Sequence, residues 1–122
     1  MPSDSYYKKE FGRRGEEIAS SFLLDRGFEI LRKNYRYKKV GEIDIIARKD
    51  GLIIFVEVKS RKTGRFGGAL YSINSRKKNT IKKIASQYLS ANQPLLPKDY
   101  TCRFDLISIE NEKLEWFEDI FR

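Results

Sequence analysis

The stretch from Gly41 to Arg61, GEIDIIARKDGLIIFVEVKSR, restricts the fold of this chain more than any other segment. Two runs rich in isoleucine, valine and phenylalanine flank Asp50-Gly51, a dipeptide that favours a two-residue hairpin loop. The second run, LIIFVEV, is apolar without alternation, as expected of a strand covered on both faces. Yet Asp44 stands in the first strand, and Glu57 and Lys59 stand in the second. Charged side chains are seldom buried unless they are paired or bind a metal.

The hairpin fixes a register. If Asp50 and Gly51 form the loop, Lys49 faces Leu52 and Asp44 falls opposite Glu57, with Cβ atoms about 4.5–5.5 Å apart. A four-residue loop centred on the same place gives the same pairing. Lys59, two residues beyond Glu57, shares its face. Opposed carboxylates repel, and more strongly when desolvated, so a positive charge is expected between them. The chain has no histidine and one cysteine, Cys102. An oxygen-only site of this kind suits Mg2+ or Mn2+. Two other arrangements remain open at this point. Lys59 alone neutralises the pair in part, or an odd-length loop sends Asp44 to the opposite face.

Around the hairpin the pattern is that of an α/β domain. GRRGEEIASSFLLDRG places Ile18, Ala19, Phe22 and Leu23 on one helical face, with Gly27 as the stop. Phe28 to Tyr37 reads as a strand. RKTGRFGGALYS reads as a glycine-rich loop. A second helix is expected from a cap at Ser75 to about Ser90, with Ile81, Ile84, Ala85, Tyr88 and Leu89 on its apolar stripe. CRFDLISIE and KLEWFEDIF read as two more strands about a turn at Asn111. Helix, three strands, helix, two strands gives a mixed central β-sheet of about five strands flanked by helices. A length of 122 residues fits one domain over residues 11–122, after a polar and disordered tail over residues 1–10. Nothing near the N-terminus resembles a signal peptide, and LIIFV is far too short to span a membrane. The expectation is a cytoplasmic protein with no membrane partner.

Charge indicates the kind of partner. The chain carries 25 Lys and Arg against 17 Asp and Glu. The excess is clustered in RKNYRYKK, SRKTGR and RKKNTIKK, which suits an anionic partner such as nucleic acid. Without histidine, triads and histidine bases are excluded. A cation held by Asp44 and Glu57 beside Lys59, with the Val58 carbonyl as a further ligand, suits phosphodiester hydrolysis. Lys59 would then stabilise the attacking hydroxide or the charge developing on the phosphate. Two outlying residues have alternative readings. Glu16, at the edge of the first helix's apolar face, is a further acid near the metal or an ordinary dipole-stabilised acid. Lys77, in the first turn of the second helix, grips a phosphate or simply faces solvent.

The segments GRRGEEIA, NYR, GEIDIIA, FVEVKSR, RKK and RFDLI occur in the order typical of the YraN-like predicted endonucleases. That family is similar to archaeal Holliday-junction resolvases, within the PD-(D/E)XK nuclease superfamily, and the resemblance runs from about Gly12 to Phe121. It implies a restriction-endonuclease-like fold and a site at Asp44, Glu57 and Lys59. Glu16 corresponds to the superfamily's helical acid and Lys77 to its downstream polar residue. Ile43 stands where the superfamily's nominal proline would be. The resolvase relatives act as dimers, so a homodimer is one arrangement to expect. The expected function is a Mg-dependent deoxyribonuclease acting on branched or structured DNA. Arg61, Lys62, Arg65, Arg76 and Lys77 would hold the DNA backbone. Two alternatives are a nucleic-acid-binding module that keeps the nuclease fold without catalysis and a basic adaptor for acidic proteins.

Overall fold

A computed structural model of the protein describes residues 4–61 and 73–122. Its elements are α1 (Asp4–Asp25), β1 (Glu29–Tyr37), β2 (Gly41–Lys49), β3 (Leu52–Arg61), α2 (Ser75–Ala91), a short 3-10 turn (Gln93–Leu95), β4 (Thr101–Glu110) and β5 (Lys113–Phe121). The five strands form one sheet in the order β1-β2-β3-β4-β5. Only the β3–β4 pair is parallel; the other three are antiparallel. This is the restriction-endonuclease-like mixed sheet expected from the sequence. Helix α1 begins at Asp4, inside the stretch expected to be a tail, where no proline or glycine interrupts residues 4–11.

Each helix covers one face of the sheet. Ala19 and Leu23 of α1 pack with Ile45, Ala47, Ile54, Val56, Ile107 and Ile109. Ile81, Ile84, Ala85 and Tyr88 of α2 pack with Ile43, Ile46, Ile53 and Phe55. Alternate residues of β3 therefore enter different cores, and its unbroken apolar sequence follows from burial on both sides. Helix α1 ends as expected at Gly27, whose φ is +90°. The Gly27 N–H donates to the Leu24 carbonyl and the Phe28 N–H to the Leu23 carbonyl, both at 3.0 Å. These two bonds form a Schellman cap.

Two expectations need correction. Ile18 does not join the core; it is 40% exposed. The helix seats instead on small residues at four-residue spacing, Gly15 and Ala19 before Leu23. At Gly15 the approach is so close that an added Cβ would stand 1.8 Å from Ser60 Oγ. Hydrophobic periodicity rewards large apolar residues and does not reveal a helix that seats on small ones. The cap of α2 is Asn74 rather than Ser75: its Oδ1 accepts the Lys77 N–H at 2.9 Å.

Candidate metal centre

The register of the central hairpin is the one that an Asp-Gly loop demands. β2 and β3 pair from Lys49 and Leu52 to Ile45 and Val56. Asp50 takes a left-handed φ of +52° in the loop. Beyond Ile45 and Val56, where Asp44 would meet Glu57, the ladder ends. Asp44 Oδ2 instead accepts the backbone N–H of Val58 at 2.8 Å.

The same position is irregular on the other side of β2. Tyr35 pairs with Ile43 and Lys33 with Ile45, but Asn34 and Asp44 between them do not pair, and Asn34 has a φ of +51°. Ile43 belongs to the core under α2 and Ile45 to the core under α1, although residues two apart on a regular strand share a face. Strand β2 thus changes faces at Asp44. Acidic groups from both sides of the sheet can converge there.

One carboxylate oxygen from each of Glu16, Glu42 and Asp44 lies within 4.8 Å of the others. All three residues are half-buried. Glu16 arrives from α1, and Asn34 donates a hydrogen bond to it from β1. Glu42 is the cross-strand partner of Arg36, whose guanidinium stands 3.6 Å away. Glu57 lies on the α2 side of Asp44. It is only 4% exposed, and its Oε2 meets Lys77 Nζ at 3.4 Å. Its other oxygen, Oε1, is buried with no hydrogen-bond partner among the described residues.

These contacts perturb the acids in a common direction. Burial, reinforced by the Asp44 charge, pushes the Glu57 carboxyl up to about 7, and Lys77 and Lys59 offset only part of that. Burial also raises the Asp44 carboxyl against the counter-effect of the Val58 N–H, with Glu42 adding to the rise. Glu16 is raised by burial and by Asp44, while its bond from Asn34 pulls the other way. Lys77 and Lys59 thus balance the acidic charge only in part, and one buried carboxylate oxygen lacks a donor among the described residues. An all-carboxylate donor set with such a vacant acceptor fits a hard divalent cation.

The residues singled out from the sequence separate into three groups. Asp44 is the common neighbour: Glu16 brings an oxygen within 4.8 Å of it, Lys77 meets Glu57 at 3.4 Å, and Asp44, Glu57, Lys59 and Lys77 act on one another electrostatically. Val58 contributes through its N–H. Arg61 lies at the end of β3, where its carbonyl accepts the Asn111 N–H at 3.4 Å, and Arg76 is exposed on α2. Lys62 and Arg65 lie outside the described residues. Glu42 and Asn34 were not singled out as site residues. Glu42 had a usable signal, because it stands two residues before Asp44. Asn34 had none, since it lies inside a run of cations, and neither its left-handed φ nor its bond to Glu16 is written in that pattern.

The family model for UPF0102, an uncharacterised protein family, matches residues 15–109. The chain belongs to the UPF0102 family. This is the YraN-like family to which its motifs point. A UPF0102 protein of Thermodesulfovibrio yellowstonii is 42% identical over 112 residues, covering 92% of this chain and 96% of its own length. One from Caldicellulosiruptor bescii is 46% identical over 101 residues, covering 83% and 82% respectively. One from Dictyoglomus turgidum is 46% identical over 112 residues, covering 88% and 92%. The UPF0102 match takes in Glu16, Glu42, Asp44, Glu57, Lys59 and Lys77, and it ends on β4, before β5. Among the described residues of this UPF0102 protein, no helix is long and apolar enough to cross a membrane.

Proposed function

We propose that this UPF0102 protein is a metal-dependent endonuclease that hydrolyses phosphodiester bonds in DNA, with branched or otherwise structured DNA as its substrate. The observation that carries this reading is Glu57, a carboxylate buried beside a second acid with one oxygen left without a donor among the described residues. A buried charge in that condition is costly unless a cation shares it. Asp44 and Glu57 would hold Mg2+ or Mn2+, with Glu16 and Glu42 on the α1 side. When bound, the ion would polarise the phosphate and ease deprotonation of water.

The chain's own groups supply the rest. Lys59 lies close enough to act on both Asp44 and Glu57, where it would balance charge building on the phosphate. Lys77 would leave Glu57 for a phosphate oxygen. Arg76 and the basic turns would hold the backbone through salt-sensitive contacts.

One observation favours a second reading. Lys77 already sits against Glu57 at 3.4 Å, as a built-in replacement for an ion. That contact suits a nucleic-acid-binding module that keeps the fold without catalysis. Incubation with duplex, flap and four-way DNA in Mg2+, Mn2+ or EDTA separates the two. Metal-dependent cutting that disappears in Asp44→Asn and Lys59→Ala supports the nuclease. Salt-sensitive binding without cutting, unchanged in those variants, supports the module. Failure to bind any DNA at low salt sinks both.

A further inference from the structure

Helix α1 has a second face that neither core uses. Arg14, Ile18, Ser21 and Asp25 follow one another at spacings of four, three and four residues. At 100° per residue they fall within about 60° of arc, a single stripe along the helix. All four are exposed, including Ile18, the residue that hydrophobic periodicity assigned to the core. A shallow depression of about 500 Å³ runs beside the stripe, floored by Phe22 and by Leu114 of β5. No ion pair among the described residues engages Arg14, Glu17 or Asp25. The stripe thus has a cation at one end, an anion at the other, and Ile18 beside a small serine in the middle.

We propose that this stripe is the contact between two copies of the chain, packed as antiparallel helices about a two-fold axis. The axis passes level with the peptide between Ala19 and Ser20. It sets Arg14 of each copy against the partner's Asp25, and Ile18 against the partner's Ser21. Both ion pairs form at once, because an isologous contact repeats every interaction. Each pair stands about 8 Å along the helix from the axis, from a rise of 1.5 Å per residue. Ser21 leaves room for the larger Ile18, and the Ile18 side chains of the two copies are the apolar centre of the contact.

The charge pattern selects this occupant. A stripe with opposite charges at equal distances from its centre complements itself when it is inverted. A nucleic acid laid along it would meet Glu17 and Asp25. The ion pairs lie at the rim, so they set register more than affinity. The apolar centre is small, which makes the dimer depend on concentration rather than permanent. Glu16 projects from the opposite side of the helix toward Asp44, so dimer formation leaves the carboxylate cluster open.

The test is sedimentation of the full chain from micromolar to millimolar concentration. Wild type should convert from monomer to dimer across that range. Arg14→Glu and Asp25→Arg, each made alone, place like charges at both ends of the contact and should weaken the dimer by about tenfold or more. An equimolar mixture of the two variants restores opposite charges at both ends and should recover dimer, as should the chain carrying both changes. Melting curves that match wild type would show that the variants are folded, since both positions are exposed. Wild type that stays monomeric throughout would overturn the proposal. So would a dimer indifferent to both reversals, or single losses that neither the mixture nor the double variant repairs.

Discussion

Asp105 and Glu57 are both buried carboxylates in the apolar centre of one sheet, and their surroundings are opposite. The Asp105 side chain is 0% exposed and fully supplied with donors. Arg103 gives it two hydrogen bonds, at 2.9 and 2.8 Å, Trp116 Nε1 a third at 2.9 Å, and the Asp119 N–H a fourth at 3.0 Å. The carboxylate closes the irregularity in the β4–β5 ladder between Phe104 and Leu106. Glu57 has one lysine at 3.4 Å, an acidic neighbour and an oxygen with no partner among the described residues. Burial of an acid is therefore no sign of function. What distinguishes the two is whether the fold supplies the donors itself or leaves a position that an ion can take.

The largest expected effect falls on the satisfied acid. Asp105→Ala leaves the Trp116 and Asp119 N–H groups without their acceptor and the Arg103 guanidinium with only Glu118, 3.6 Å away. It should cost about 3–5 kcal/mol, the range for breaking a buried pair by removing one partner. Urea unfolding would measure this, and a loss below about 1 kcal/mol would remove the contrast.

The incomplete acid should respond to metal instead. Mn2+ at a hundred times its Kd should stabilise the wild type by about 2.7 kcal/mol. Thermal melts should show the gain in wild type and none in Asp44→Asn. An equal gain in that variant would place the ion elsewhere.

Without metal, pH should act through Glu57. Its folded value of about 7 lies above the ordinary 4.5, so the native state holds the proton more tightly than the unfolded chain. Its contribution is fully present below pH 4.5 and is lost as pH rises through 7. The raised Asp44 and Glu16 carboxyls act in the same direction. Glu57→Gln should flatten the fall between those limits and raise the melting temperature at pH 8 by about 5 °C, the shift expected from roughly 1 kcal/mol. Parallel curves for the two proteins would show that Glu57 does not titrate in this window.

The smallest effect is expected at the C-terminus. Arg122 pairs with Asp119 at 2.8 Å but is 88% exposed. Arg122→Ala should leave the urea unfolding midpoint essentially unchanged, since exposed pairs contribute little. A clear drop would mean that the backbone at Asp119 needs this pair to hold its N–H on Asp105.

Much of the molecule was legible before any coordinates. The Asp-Gly loop set the β2–β3 register, because a tight turn leaves few ways to pair the flanking strands. The unbroken LIIFVEV run announced a strand buried on both faces, and the glycine after α1 marked its end. Asp105 was visible only as an acid in an apolar strand, just as Asp44 was. Its donors come from one residue nearby in β4 and two in β5, a combination that no local pattern displays.

What the sequence determined by itself was local: the central hairpin, its register from Lys49 and Leu52 to Ile45 and Val56, and the burial of Glu57 in its second strand. Short-range backbone geometry and the alternation of side chains suffice for that. Only the tertiary structure decided that β2 changes faces at Asp44, that Glu42 and Asn34 join Glu16 there, and that Glu57 keeps a bare oxygen while Asp105 keeps none. Those outcomes depend on groups far apart in the chain, whose distances are set when the helices settle on the two faces of the sheet.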